Sequence, residues 1–195
     1  MTYDEKYFDG KWTSVIKEMP SGGNYYFHLR QYGMNIVKGL IADKSSVFDY
    51  ACGLGVIDKQ LRDEKKCKVS GCDFSQVAID YVVKQTGGNF RKTSNFFCGP
   101  YDYILAVYFL EHIIEPQRWV SKALKYADRV ICVLPNDFDH HGEHIDMQWS
   151  SWEDFAIKFS DFFWTRIDNK TSYPVNIPMA FRHPIIMFSK ERENE

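Results

Sequence analysis

The sequence has no excess of charge of either sign, no long apolar run and no closely paired cysteines, and each absence removes a class of protein. Its 195 residues carry 24 Lys and Arg against 26 Asp and Glu, a formal net charge of -2. A phosphate backbone is held by a positive field, so no nucleic-acid partner is expected. The longest wholly apolar stretch, Tyr103 to Leu110, is closed by Asp102 and Glu111. A bilayer span needs roughly 20 such residues, so no membrane insertion is expected either. The first residues, Met-Thr-Tyr-Asp-Glu-Lys-Tyr, lack the apolar region behind a basic start that marks a secretory signal. The five cysteines, Cys52, Cys67, Cys72, Cys98 and Cys132, are an odd number with no C-x-x-C spacing. That pattern argues against a disulfide framework or a zinc ribbon and fits reduced thiols in a cytoplasmic protein. No repeat, low-complexity tract or Gly/Ser linker divides the chain. With 45% apolar and 16% aromatic residues, there is material for one sizeable core but hardly for two, so a single domain over 1–195 is expected.

The first part of the chain, 1–40, reads as a small helical cap. It is rich in aromatics (Tyr3, Tyr7, Phe8, Trp12, Tyr25, Tyr26, Phe27, Tyr32), and Pro20-Ser21-Gly22-Gly23 breaks it into two helical pieces. From Ser46 onward short apolar runs alternate with longer amphipathic stretches, the pattern of βαβ units. Strands are expected at Val47–Tyr50, Val69–Cys72, Asn89–Thr93, Tyr103–Tyr108, Arg129–Leu134, Phe162–Ile167 and His183–Ser189. Helices are expected at Ile57–Lys65, from Ser75 through Lys84, at Gln117–Tyr126 and at Ser151–Phe159. Strands this apolar are buried on both faces, as in a parallel sheet between helix layers. The fold class is therefore α/β: a doubly wound, mostly parallel seven-stranded sheet with helices on both faces. Residues 41–136 would form its ligand-binding half and 137–195 the acceptor side.

The chemistry is concentrated where strands end. Asp49-Tyr50-Ala51-Cys52-Gly53-Leu54-Gly55 joins the first strand to a helix; small residues there let the backbone approach a ligand, and a helix N-terminus favours an anionic group. A dinucleotide fingerprint needs a third glycine at position 58, where Asp58 stands, and its charge would repel a pyrophosphate. Asp73, in Gly71-Cys72-Asp73-Phe74-Ser75, ends the second strand, beside the first in a right-handed βαβ unit. Its carboxylate can accept two hydrogen bonds from ribose hydroxyls.

In these residues the sequence resembles the class I S-adenosylmethionine-dependent methyltransferases, whose first motif runs roughly D-x-[GA]-C-G-x-G. Gly71 to Ser75 resembles the family's ribose-binding strand end. Tyr101-Asp102-Tyr103-Ile104 with Leu110-Glu111-His112-Ile113 resembles its fourth strand and the following turn, and Val130 to Asn136 its fifth strand and exit. The resemblance implies S-adenosyl-L-methionine as cofactor, with S-adenosyl-L-homocysteine as product. It implies that Asp49, Ala51, Cys52, Gly53 and Gly55 surround the methionine part, that Asp73 holds the ribose and that Phe74 lies against the adenine. Ser94 or Asn95 would meet the adenine edge, Ala106 to Tyr108 would form the floor beneath the sulfonium, and Arg30 could pair with the cofactor carboxylate.

The segment Asp137 to Asp146 holds three histidines and four acids. It lacks the H-E-x-x-H spacing and has no downstream P-C-x-x-C, so no metal is expected. Because it leaves the fifth strand at the carboxyl edge, it would face the acceptor. A neutral imidazole there is a competent base near pH 7; the candidates are His144, then His141, then His112. Tyr7, Tyr25 or Tyr26 could close over the site, where an aromatic face stabilises a cation. The expected activity is methyl transfer to an oxygen or nitrogen of a small-molecule acceptor. The rivals are a non-catalytic S-adenosylmethionine-binding protein and, weakened by Asp58, a nucleotide-dependent oxidoreductase. Oligomeric state is open.

Overall fold

Short apolar runs bounded by polar turns become strands, and the amphipathic stretches between them become helices, as the periodicity predicts. The computed structural model describes residues 5–19, 34–93, 99–134, 151–167 and 184–190, which fall into two compact units, Met1–Phe97 and Cys98–Glu195. None of the helices among the described residues is long and apolar enough to cross a membrane.

The first unit contains α1 (Glu5–Glu18), α2 (34–40), β1 (Ser46–Tyr50), α3 (Val56–Lys65), β2 (Lys68–Asp73), α4 (Gln76–Thr86) and β3 (Asn89–Lys92). Its strands are parallel in the order β3-β2-β1, with Asp49 opposite Gly71. A Cβ at Gly71 would stand 2.5 Å from the Asp49 carbonyl oxygen and 2.9 Å from the Phe90 ring, so glycine is what lets the two strands and the ring come together. Val47, Phe48, Asp49 and Tyr50 are all buried, which fits a strand covered on both faces. Helix α3 ends on Lys66 and α4 on Gly87, both in the left-handed conformation that closes helices. Ser75 caps α4: its Oγ accepts from the Ala78 backbone N–H at 3.2 Å. Replacing it by alanine is expected to cost about 0.5–2 kcal/mol in a denaturant melt; an unchanged midpoint would remove the cap from the stability of this unit.

The second unit contains β4 (Tyr101–Val107), a 3-10 turn at Leu110–His112, α5 (Pro116–Ala123), β5 (Ala127–Val133), α6 (Trp152–Lys158), β6 (Phe163–Arg166) and β7 (Ile185–Ser189). The order is β4-β5-β7-β6; β4 and β5 are parallel, whereas β7 runs antiparallel to both of its neighbours. Phe155, Phe159 and Phe188, all fully buried, centre its core, with Phe155 stacked on Phe159 at 4.4 Å and Phe159 tilted against Phe188 at 5.2 Å. The seven strands and the intervening helices make the α/β, mostly parallel fold that the pattern implies. One helix ends sooner than its periodicity suggests. Residues 124–126 leave α5 because the Lys125 and Tyr126 amides bond to the carbonyls of Lys122 and Ala123, tightening the last turn.

Candidate functional site

The site in the first unit is built on the turn between β1 and α3. Ala51, Gly53 and Gly55 all have positive φ, at 60°, 51° and 65°, so the chain coils left-handed at alternate positions. The Cys52 amide bonds to the Cys72 carbonyl at 2.9 Å and the Gly55 amide to the Cys52 carbonyl at 3.0 Å. Cys52 is buried, and its thiol is pushed well up by burial first and then by Asp49, Asp58 and Asp73. A thiol in that state is not a nucleophile. Cys72 is pushed up to about 12 by the same burial, and Cys52, Cys67, Cys72 and Cys132 are all free.

Asp73 ties this turn to the next helix. Its Oδ2 accepts from the Gly53 amide at 2.9 Å and its Oδ1 from the Ser75 amide at 2.8 Å. The residue is 6% exposed. Burial pushes its carboxyl up, and the hydrogen bonds from Ser75, Gly53 and Phe74 pull the other way. A carboxylate offers about four lone-pair positions; these two bonds leave acceptor capacity for a ligand hydroxyl. Phe74 follows it and is 45% exposed, its ring edge-on to Phe8 of α1 at 6.4 Å.

Helix α1 meets the same turn. Asp9 accepts from the Ser75 hydroxyl and from the Val77 amide, placing a carboxylate at the N-terminus of α4, where the helix dipole favours it. Those bonds, the serine first, hold its carboxyl below the usual range. Trp12 lies over the glycine turn: a Cβ at Gly53 would stand 2.9 Å from its Cζ2, and its buried Nε1 has no hydrogen-bond partner among the described residues. Lys92 pairs with Glu5. From this helix Phe8, Asp9 and Trp12 make these contacts, on the face that the spacing of positions 5, 8, 9 and 12 defines, and Tyr7 packs edge-on against Phe8 at 5.2 Å.

Below the turn, Asp49 and Asp58 are enclosed, with 2% and 0% exposure. Among the described residues, Asp49 Oδ1 and both Asp58 oxygens have no hydrogen-bond partner. Enclosed carboxylates without donors favour the protonated form. Burial is the first cause of the upward shift in both; Asp58 and Asp73 push Asp49 further, and Asp58 is raised to about 7. From the ordinary carboxylate value of 3.8 up to that raised value, the folded protein binds more protons than the unfolded chain. Stability therefore falls as pH rises through the window. Chemical unfolding of the ligand-free protein is expected to give a lower stability at about pH 8 than at about pH 5, with Asp58→Asn flattening the difference. An undiminished slope in the variant would remove the pair from the pH dependence.

In the second unit Ala106 is fully buried within β4, paired with Cys132 of β5. Tyr108, just past the strand end, has φ 54° and donates its amide to the Val133 carbonyl at 2.9 Å. His112 lies in the following turn, its Nε2 3.9 Å from Oε1 of the buried Glu111. Arg30, Ser94, Asn95, His141, His144, Tyr25 and Tyr26 lie outside the described residues.

This arrangement belongs to a known class of fold. The chain matches the magnesium protoporphyrin IX methyltransferase (ChlM) of Synechocystis PCC 6803, with bound SAH, at a TM-score of 0.70 and 15% identity, over 96% of this chain and 98% of that one. It matches a chain of the complex between the Haloferax volcanii Trm112 methyltransferase activator and the putative methyltransferase at a TM-score of 0.69 and 14% identity, over 98% and 99%. The plantazolicin methyltransferase BpumL in complex with SAH matches at a TM-score of 0.64 and 13% identity, over 94% of each chain. The fold is the seven-stranded α/β fold of the class I methyltransferases. No curated protein matches the chain in sequence. Residues 31–151 match the family described as methionine biosynthesis protein MetW, and the chain belongs to that family.

Proposed function

We propose that this protein is an S-adenosylmethionine-dependent methyltransferase acting on an oxygen or nitrogen of a small-molecule acceptor. The observation that carries the reading is Asp73: a buried carboxylate fixed by two backbone amides, with acceptor capacity to spare, at the mouth of a glycine turn. In the class I fold this is the place of a ribose. Phe74, exposed beside it, offers a ring face for adenine, and Asp49 lies below the place of the amino-acid end. Ala51, Cys52, Gly53 and Gly55 supply backbone to that same end, with Arg30 as the partner of its carboxylate and Ser94 at the adenine edge. Ala106 and Tyr108 mark the strand end from which the sulfonium is lined.

The cofactor, when bound, supplies a methyl group on a sulfonium, already a good leaving group. What remains for the chain is to hold the reactants aligned, which lowers a barrier by roughly 7–11 kcal/mol, and to exclude water. Trp12 of α1 serves the second purpose by covering the turn, and Phe8 by packing against Phe74. A histidine takes the acceptor's proton: His144 first, with His141 and His112 as alternatives. Membership in a family described as a methionine biosynthesis protein favours a small metabolite as acceptor. Incubation with S-adenosylmethionine labelled on the methyl group and a panel of small hydroxyl and amine compounds is expected to yield a labelled product, with His144→Ala reducing turnover far more than cofactor affinity. Binding of the cofactor with no transfer to any acceptor would contradict the enzymatic reading and leave a binding protein.

A further inference from the structure

Helix α1 covers the glycine turn without burying any of its own residues. Its neighbours are anchored differently: α3 buries Ile57 and Leu61, and α4 buries Ala78, Ile79 and Val82. The side chains that fasten α1 are themselves only partly enclosed. Asp9 accepts from the Ser75 hydroxyl and from the Val77 amide at the start of α4, Glu5 pairs with Lys92, and Phe8 meets Phe74 edge-on. An element with so little buried surface opens locally at a small free-energy cost. Gly10 lowers that cost further. It stands beside Asp9 in mid-helix, and a Cβ there would meet nothing within 4 Å, so no packing demands a glycine that weakens the helix. An isolated helix of 14 residues is marginal in water, so undocking and unwinding of α1 go together.

The same helix stands in the way of a ligand. Trp12 Cζ2 and Cη2 lie 2.9 Å and 3.0 Å from the place of a Gly53 Cβ, closer than carbon atoms pack, so no ligand atom fits between the indole and the turn. Asp9 is bonded to the Ser75 hydroxyl, and the Ser75 amide is one of the two donors to Asp73. The fastening of α1 and the carboxylate proposed for ribose thus share a residue. Building on the proposed function, we infer that α1 is a gate: S-adenosylmethionine reaches the glycine turn only after Asp9 leaves the N-terminus of α4 and Trp12 lifts from Gly53. Once the ligand is abundant, its entry is limited by the opening of α1 rather than by encounter.

The test is the rate at which the whole protein captures radiolabelled S-adenosylhomocysteine after rapid mixing, measured over a range of ligand concentrations. The rate is expected to level off as the concentration rises, at the rate of helix opening. Two variants move that plateau in opposite directions. Asp9→Ala removes both hydrogen bonds to the start of α4 and is expected to raise it about tenfold. Gly10→Ala strengthens the docked helix and is expected to lower it about two- to fivefold. A helix that only packs beside the site would alter the amount bound and leave the plateau where it was. Capture in proportion to concentration throughout, or a plateau that neither variant moves, overturns the gate and leaves the cofactor reading intact. Absence of capture by all three proteins overturns both together. Should Asp9→Ala fail to fold, Gly10→Ala decides, since position 10 is exposed and its new methyl meets no neighbour.

Discussion

Replacing Gly55 by alanine is expected to lower the unfolding free energy by about 2–5 kcal/mol, the sum of a left-handed backbone cost and overpacking. Gly55 has φ 65° and ψ 34° as it caps α3, a region an L side chain enters at a cost of about 1–2 kcal/mol. The added Cβ would also stand 2.1 Å from Val82 Cγ2 and 3.0 Å from Val82 Cβ. Val82 is fully buried and β-branched, hence stiff at χ1, so α4 itself has to shift. Gly53 provides the comparison, because its φ is also positive but its new Cβ first meets the indole edge of Trp12 at 2.9 Å, the far end of a side chain on another helix. Gly53→Ala is accordingly expected to cost less, about 1–2 kcal/mol. Equilibrium unfolding in denaturant checks both; equal losses at the two positions would mean that contact with Val82 does not decide the matter.

Asp73→Ala is expected to cost about 2–6 kcal/mol and to abolish binding of S-adenosylhomocysteine. Two backbone donors, the amides of Gly53 and Ser75, lose their acceptor at once, and each buried group left unsatisfied costs about 1–3 kcal/mol. Asp73→Asn separates structure from binding. Its single carbonyl oxygen satisfies one of the two amides and its NH2 group faces the other, so part of the stability returns. The two acceptor positions proposed for ribose are not restored together. Denaturant unfolding alongside a binding titration is the measurement. An alanine variant that remains as stable as the parent contradicts the clamp, and one that binds S-adenosylhomocysteine with parent affinity contradicts the ribose role.

These two residues also show how far the sequence could be read. The ends of β4 and β5 are legible because Tyr103–Val107 and Val130–Val133 are continuous apolar runs, and the glycines between β1 and α3 announce a tight turn. That Asp73 would spend one oxygen on each of two amides was not legible, since hydrogen-bond direction depends on where the turn places Gly53. Asp58 was noticed only as a charge unfriendly to pyrophosphate. Its burial follows from α3 packing against β2 and α4, which no local pattern specifies. Helix α1 read as an aromatic cap, but the residue that reaches the glycine turn was hidden among eight aromatics, because only the three-dimensional path selects Trp12.

The measurement that bears most directly on the account is a crystal structure of the protein with S-adenosylhomocysteine. It is expected to show the ribose hydroxyls within hydrogen-bond distance of Asp73, the adenine against Phe74 and the amino-acid end over the Gly53–Gly55 turn. Density for the nucleoside at any other place, with Asp73 bonded only to its two amides, would contradict it.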